Sequence, residues 1–247
     1  MTLKDFFEAH TKAALGFSGG VDSTYLLYAA KHYGCNIRPY YIKTQFQPKF
    51  ELADAKRLCA EIGVELFIIE YDILSIPDVV NNSAERCYFC KKSLFSILRS
   101  RAVSDGYSVL LDGTNASDDA ADRPGMKALR ELEVLSPLRI CGLTKSDIRS
   151  LSKETGLFTW NKPAYACLAT RIPTGTEIKK EQLQKVEAAE NTLFGMGFND
   201  FRIRCFGEAA KIQLKQEQFE LAFNERKEIL KRIKPYFNSV LLDLEER

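Results

Sequence analysis

Short apolar runs alternate with longer amphipathic stretches through the first two-thirds of the chain. Segments 13–17, 37–42, 66–70, 109–112 and 134–137 read as strands, and 22–33, 49–62, 90–103, 125–131 and 145–155 read as helices. Strand–helix alternation of this kind predicts an α/β fold: a parallel five-stranded sheet with helices on both faces. Ligands of such sheets bind beyond the carboxyl ends of the strands.

The rhythm breaks at Asn161-Lys162-Pro163 and again at Arg171-Ile172-Pro173-Thr174-Gly175, where prolines and a glycine mark a loop and hinge. Beyond it, 179–193 reads as an amphipathic helix, 201–205 and 211–214 as a hairpin, 218–233 as a helix and 239–244 as a last strand. This predicts two domains, 1–172 and a small α+β domain over 173–247. No internal repeat or low-complexity segment interrupts them.

Composition narrows the picture. The chain has 247 residues, of which 45% are apolar, enough for two domains with a real core. A formal net charge of +2 gives no whole-chain case for nucleic-acid binding. No apolar run approaches the ~20 residues of a membrane span. Met1-Thr2-Leu3-Lys4-Asp5-Phe6-Phe7 lacks the apolar core of a secretory signal. The expectation is a cytoplasmic protein with no membrane or nucleic-acid partner. Seven cysteines, an odd number, do not suggest a secreted disulfide framework. They are expected to be buried thiols, metal ligands or reactive groups.

The most informative stretch is Ser18-Gly19-Gly20-Val21-Asp22-Ser23, between the first strand and the first long helix. Glycines let the backbone approach an anion and allow positive φ. Free N–H groups at the helix start, with the helix dipole, favour a phosphate there. Ser18 and Ser23 add hydroxyls. Asp22 would repel a phosphate unless a cation such as Mg²⁺ lay between them. No Gly-Lys-Ser/Thr follows, so this is not a Walker A loop. Asp112-Gly113-Thr114-Asn115 ends another strand and is expected to line the same cleft, with Gly113 allowing close approach of a nucleotide. Asp118, Asp119 and Asp122 read as solvated charge, and Arg123 is a candidate to face the site. The only histidines, His10 and His32, receive no role.

Cys87 and Cys90 stand in Arg86-Cys87-Tyr88-Phe89-Cys90-Lys91-Lys92, a spacing that puts two sulfurs on one face of a helical turn. The pair could be redox-active, half of a zinc site, or two ligands of an iron–sulfur cluster. Cys167, in the linker, is a third candidate ligand, or a nucleophile acting alone. Arg86, Lys91, Lys92 and Arg171 would favour thiolates. Cys35, Cys59, Cys141 and Cys205 read as inert buried thiols. Arg202 and Arg204 alternate along a strand, which places both guanidiniums on one side, suited to a phosphate.

Taken in order, the loop at Ser18, the Cys87 to Lys91 segment, Asp112 to Asn115, Arg123-Pro124-Gly125 and Lys162-Pro163 to Pro173 resemble the LarE family of the PP-loop ATP pyrophosphatase superfamily. The likeness covers nearly the whole chain. It implies an adenine nucleotide alpha hydrolase-like PP-loop domain over 1–172, carrying the cysteine site, and a substrate-binding domain over 173–247. It implies an ATP- and Mg²⁺-dependent sulfurtransferase that adenylates a carboxylate of pyridinium-3,5-biscarboxylic acid mononucleotide, releases pyrophosphate and forms a thiocarboxylate. The product is a precursor of the nickel-pincer nucleotide of lactate racemase. Ser18, Gly19, Gly20, Asp22, Ser23 and Gly113 would bind ATP, with Asp22 on Mg²⁺. Cys87, Cys90 and Cys167 would hold a 4Fe–4S cluster that delivers sulfur. Other members of the family instead sacrifice the sulfur of a single cysteine, here Cys167. Arg202 and Arg204 would hold the substrate phosphate, and Arg171 and Glu190 would lie near substrate or metal. The partner expected is a small-molecule mononucleotide, and the assembly a homo-oligomer. The competing reading is another PP-loop enzyme, such as a tRNA thiolase.

Overall fold

A computed structural model describes residues 1–118 and 124–246; the expectations placed on Asp119, Asp122 and Arg123 fall outside the described residues. The elements run α1 (Leu3–Ala9), β1 (Lys12–Gly16), α2 (Val21–His32), β2 (Asn36–Lys43), α3 (Lys49–Ile62), β3 (Phe67–Glu70), α4 (Pro77–Val80), α5 (Arg86–Ser104) and β4 (Leu110–Leu111). They continue α6 (Pro124–Glu131), α7 (Pro137–Ile140), α8 (Lys145–Glu154), α9 (Lys180–Gly195), β5 (Arg202–Phe206), β6 (Ala209–Gln213), α10 (Phe219–Asn224), α11 (Arg226–Ile233) and β7 (Ser239–Leu242). No helix among the described residues is long and apolar enough to cross a membrane.

The chain divides into two compact units. The first comprises 1–44, 49–72 and 85–162; the second comprises 45–48, 73–84 and 163–247. The largest part of the second unit starts at Pro163, and the unit takes in two earlier segments.

In the first unit, four parallel strands lie in the order β3-β2-β1-β4. Alternate residues of β1 serve opposite cores. Ala13 and Leu15 pack with Leu26, Leu27 and Leu58, whereas Ala14 packs with Leu98, Ala102 and Leu129. With both faces covered, the strand reads as an unbroken apolar run rather than an alternating one. The expected fifth strand at 134–137 is reduced to one bridge, Leu111 to Leu135. Pro137 is the reason: it has no N–H to continue a ladder, and it opens α7 instead. The helix expected from residue 90 starts at Arg86, so both cysteines of the pair sit in its first turns.

In the second unit, β5 and β6 form the expected antiparallel hairpin, and β7 adds to β6 in parallel. The helix expected over 218–233 is split at Glu225, whose ψ of 5° leaves the helical range. The two early segments are tied in by hydrogen bonds. Asn82 is fully buried, and its side chain donates to the carbonyls of Pro173 at 2.8 Å and Thr176 at 2.9 Å.

Candidate active site

β1 ends at Gly16, and the chain turns through Ser18–Gly20 into α2. Gly19 has φ of +70°, in the left-handed region that favours glycine, and a Cβ there would lie 3.4 Å from Ala55. Gly20 does not need that freedom. It is the N-cap of α2 at φ −81°, and no side chain caps the helix. The first-turn N–H groups thus keep their anion-binding capacity. Ser18 and Ser23 brace the turn: their hydroxyls lie 3.1 Å apart, and Ser23 Oγ donates to the Gly20 carbonyl at 3.2 Å.

Gly113, just after β4, lies against the head of α2. A Cβ at Gly113 would sit 3.0 Å from the Ser23 backbone nitrogen. The adjacent carboxylate of Asp112 is buried and accepts from Ser136 Oγ at 2.6 Å and Thr114 Oγ1 at 2.5 Å. Asp112 thus fixes the shape of the segment that carries Gly113 and Asn115.

Asp22 is partly exposed at the head of α2. Asn115 Nδ2 donates to its Oδ1 at 3.3 Å, and Lys145 Nζ lies 2.5 Å from its Oδ2. Mg²⁺ is commonly bound by one or two carboxylates together with substrate phosphates. A single carboxylate beside an anion-binding turn fits that mode. A second lysine, Lys162, lies 2.6 Å from Asp54 Oδ2 and donates to the Gly19 carbonyl at 3.4 Å. Sequence reasoning missed Lys145. It is 123 residues from Asp22 in the chain, and its only local mark is a helix start after the N-cap Thr144.

On α5, Cys87 is exposed and Cys90 half-buried. Arg86 Nη2 lies 3.9 Å from Cys87 Sγ. Lys92 is committed elsewhere, to Glu131 and the Tyr88 hydroxyl. Of the other thiols, burial pushes Cys35 and Cys205 up to about 11 and Cys59 up to about 12, which keeps them protonated and inert. Among the described residues, no group of three or more His, Cys, Asp or Glu side chains is arranged to hold a metal ion.

In the second unit, Cys167 is half-buried at the head of a 3₁₀ turn, Leu168–Arg171, and its carbonyl accepts from Thr170 N at 3.0 Å. Arg171 is buried and pairs with Glu190: Nε to Oε1 is 2.8 Å and Nη2 to Oε2 is 3.3 Å. Tyr165 donates its hydroxyl to Glu190, and Ile203 N donates to Glu190 Oε1 at 3.0 Å. Burial opposes the Arg171 charge, but the Glu190 bond outweighs it and raises the guanidinium pKa, with Tyr165 and Cys167 adding to the rise. Glu190 is thus neither exposed nor open on both oxygens.

Arg204 is also engaged, donating to Gln213 Oε1 at 2.6 Å and to the Thr170 carbonyl at 2.9 Å. Arg202 differs. Its Nε is buried without a hydrogen-bond partner. Burial first, then the nearby Arg171 and Arg204 charges, push its pKa down. A buried donor beside two like charges is the environment an anion would relieve.

The sheet order and the uncapped glycine turn at the carboxyl end of β1 define a PP-loop nucleotide-binding fold. The family model described as asparagine synthase matches residues 4–121. An uncharacterized protein of Synechocystis sp. is 36% identical over 88% of this chain and 82% of its own length. The pyridinium-3,5-bisthiocarboxylic acid mononucleotide synthase of Lactiplantibacillus plantarum is 32% identical over 87% of this chain and 79% of its own length. An uncharacterized protein of Methanocaldococcus jannaschii is 31% identical over 98% and 93%. The chain belongs to the LarE family, which includes the Lactiplantibacillus plantarum synthase.

Proposed function

We propose that this chain is an ATP-dependent sulfurtransferase that converts a carboxylate of pyridinium-3,5-biscarboxylic acid mononucleotide to a thiocarboxylate. Its relationship to the Lactiplantibacillus plantarum synthase supports the reaction class. The observation that carries the substrate reading is Arg202, whose buried Nε has no partner beside Arg171 and Arg204. A mononucleotide phosphate would supply the missing acceptor and neutralise the crowded charge.

A carboxylate is a poor electrophile because its oxygen is a poor leaving group. Attack of that oxygen on the α-phosphorus of ATP forms an acyl adenylate and expels pyrophosphate, which converts the oxygen into part of AMP. The N–H groups at the head of α2 would bind the phosphates and stabilise charge that grows on pyrophosphate. Asp22 would hold Mg²⁺, which when bound neutralises the phosphate oxygens. Sulfur then displaces AMP at the carbonyl carbon. Cys87, Cys90 and Cys167, which are not grouped as a metal site among the described residues, would have to converge to hold a 4Fe–4S cluster, which when bound would supply an iron site for sulfide. Cys167 acting alone as a sacrificial sulfur donor is the other route to the same product.

The test is pyrophosphate release measured with and without the pyridinium mononucleotide, together with product mass. Release that requires the mononucleotide, with oxygen replaced by sulfur in the product, supports the proposal. Release that does not need the pyridinium mononucleotide, or an unchanged mononucleotide, overturns it. Iron content after anaerobic reconstitution and the protein mass after turnover separate the two sulfur routes.

A further inference from the structure

Asp22 and Lys145 together are more informative than either alone. Both oxygens of the carboxylate are engaged, one by Asn115 and one by Lys145. The Lys145 and Asp22 side chains are 35% and 22% exposed, so this is a solvated contact that can open. Its anchor is fixed. Lys145 is the first residue of α8, behind the capping box of Thr144 and Asp147, and its backbone N–H donates to Ser117 Oγ at 2.9 Å. A rigid helix start therefore carries a long, mobile stem with a point charge at its end.

From this geometry we infer that Lys145 is a displaceable counter-ion. It is seated on Asp22 and transfers to the pyrophosphate oxygens when Mg²⁺ and ATP bind. The inference rests on the ATP-using reading above. Mg²⁺ gives up its water reluctantly and binds best when phosphates complete its shell. Without phosphates, an ammonium already seated on Asp22 Oδ2 competes effectively with it. With phosphates, the metal takes the carboxylate and the freed ammonium finds new acceptors nearby.

The transfer also fits the charge flow of the adenylation step. A bond forms between the substrate carboxylate oxygen and the α-phosphorus. The bond from the α-phosphorus to the bridging oxygen breaks, and its electron pair leaves with pyrophosphate. No proton moves at Lys145, which stays an ammonium and donates hydrogen bonds to non-bridging oxygens as their charge increases. Lys162, on the Gly19 side of the loop, is held by Asp54 and does not touch Asp22 in this arrangement.

The experiment uses the nucleotide-free full chain and two probes: Mn²⁺, followed by electron paramagnetic resonance, and inorganic pyrophosphate, followed by calorimetry in the presence of Mg²⁺. Lys145→Gln should bind Mn²⁺ more tightly and pyrophosphate more weakly, each by about tenfold. Adding Asp22→Asn should cancel the gain in Mn²⁺ affinity. Lys145→Arg should keep most of the pyrophosphate affinity, which also controls for misfolding of the Gln variant. Unchanged Mn²⁺ affinity in Lys145→Gln, or unchanged pyrophosphate affinity, overturns the inference. If wild type binds neither ATP nor pyrophosphate, the ATP-using reading itself fails, a different result from either.

Discussion

Glu190 and Arg171 form an ion pair 2.8 Å apart whose side chains are 2% and 1% exposed. Two charges so fully removed from water persist only with good geometry and further hydrogen bonds. Tyr165, Ile203 N and the Ala166 carbonyl supply them. Glu190→Gln keeps the shape and strands the guanidinium. Urea unfolding of the second unit should show a loss of ~3–5 kcal/mol. A loss below ~1 kcal/mol would mean the pair is not the keystone of this unit.

Arg202 should behave in the opposite way. Arg202→Met removes a buried unpaired donor and one of three crowded charges. Thermal stability should hold or rise, while KM for the mononucleotide rises and KM for ATP stays put. A stability loss with unchanged mononucleotide KM would assign Arg202 to structure instead of binding.

Gly113→Ala places a methyl group 3.0 Å from the Ser23 nitrogen and 3.2 Å from its Cα. Both neighbours are backbone, so the head of α2 must shift. KM for ATP should rise about tenfold, equivalent to ~1.4 kcal/mol of lost binding, with the mononucleotide KM unaffected. Equal effects on both would refute a local action on the glycine turn.

The thiols should alkylate in a definite order. Iodoacetamide at neutral pH should label exposed Cys87 first and spare Cys35, Cys59 and Cys205 until the protein unfolds. Burial both blocks access and keeps those three protonated, with pKa values of about 11, 12 and 11. Mass spectrometry of the native protein would count against this order if Cys59 were modified alongside Cys87.

The Tyr40 hydroxyl donates to Asp105 at 2.7 Å, and this bond, then Arg101, holds the carboxyl below its ordinary 3.8. A carboxyl depressed in the folded state stabilises above its unfolded pKa. That contribution fades as pH falls from about 3.8 through the folded value. Asp105→Asn should therefore flatten the acid limb of the melting-temperature curve and change little near neutrality relative to its own plateau. An acid limb as steep as wild type would discount Asp105.

Much of this was legible in the residues. The unbroken apolar run at 13–17 announced a strand covered on both faces, and the glycines after it announced the turn into α2. Local pattern misjudged 134–137, because Pro137 satisfies an apolar count while ending a ladder. It also missed Lys145 and Lys162, whose partners Asp22 and Asp54 lie 123 and 108 residues away. The close approach of Gly113 to the Ser23 backbone is a contact that no spacing reveals. Nothing local marked the burial of Glu190, which depends on Arg171 and Tyr165 arriving from a separate loop.

The hold that Asn82 keeps on the backbone of Pro173, 91 residues later, sets the order of events during synthesis. At ribosomal speeds that interval is roughly 5–20 s. Throughout it the nascent 73–84 stretch waits without the 163–247 part of its unit, and a fragment that began at Pro163 would lack that stretch altogether.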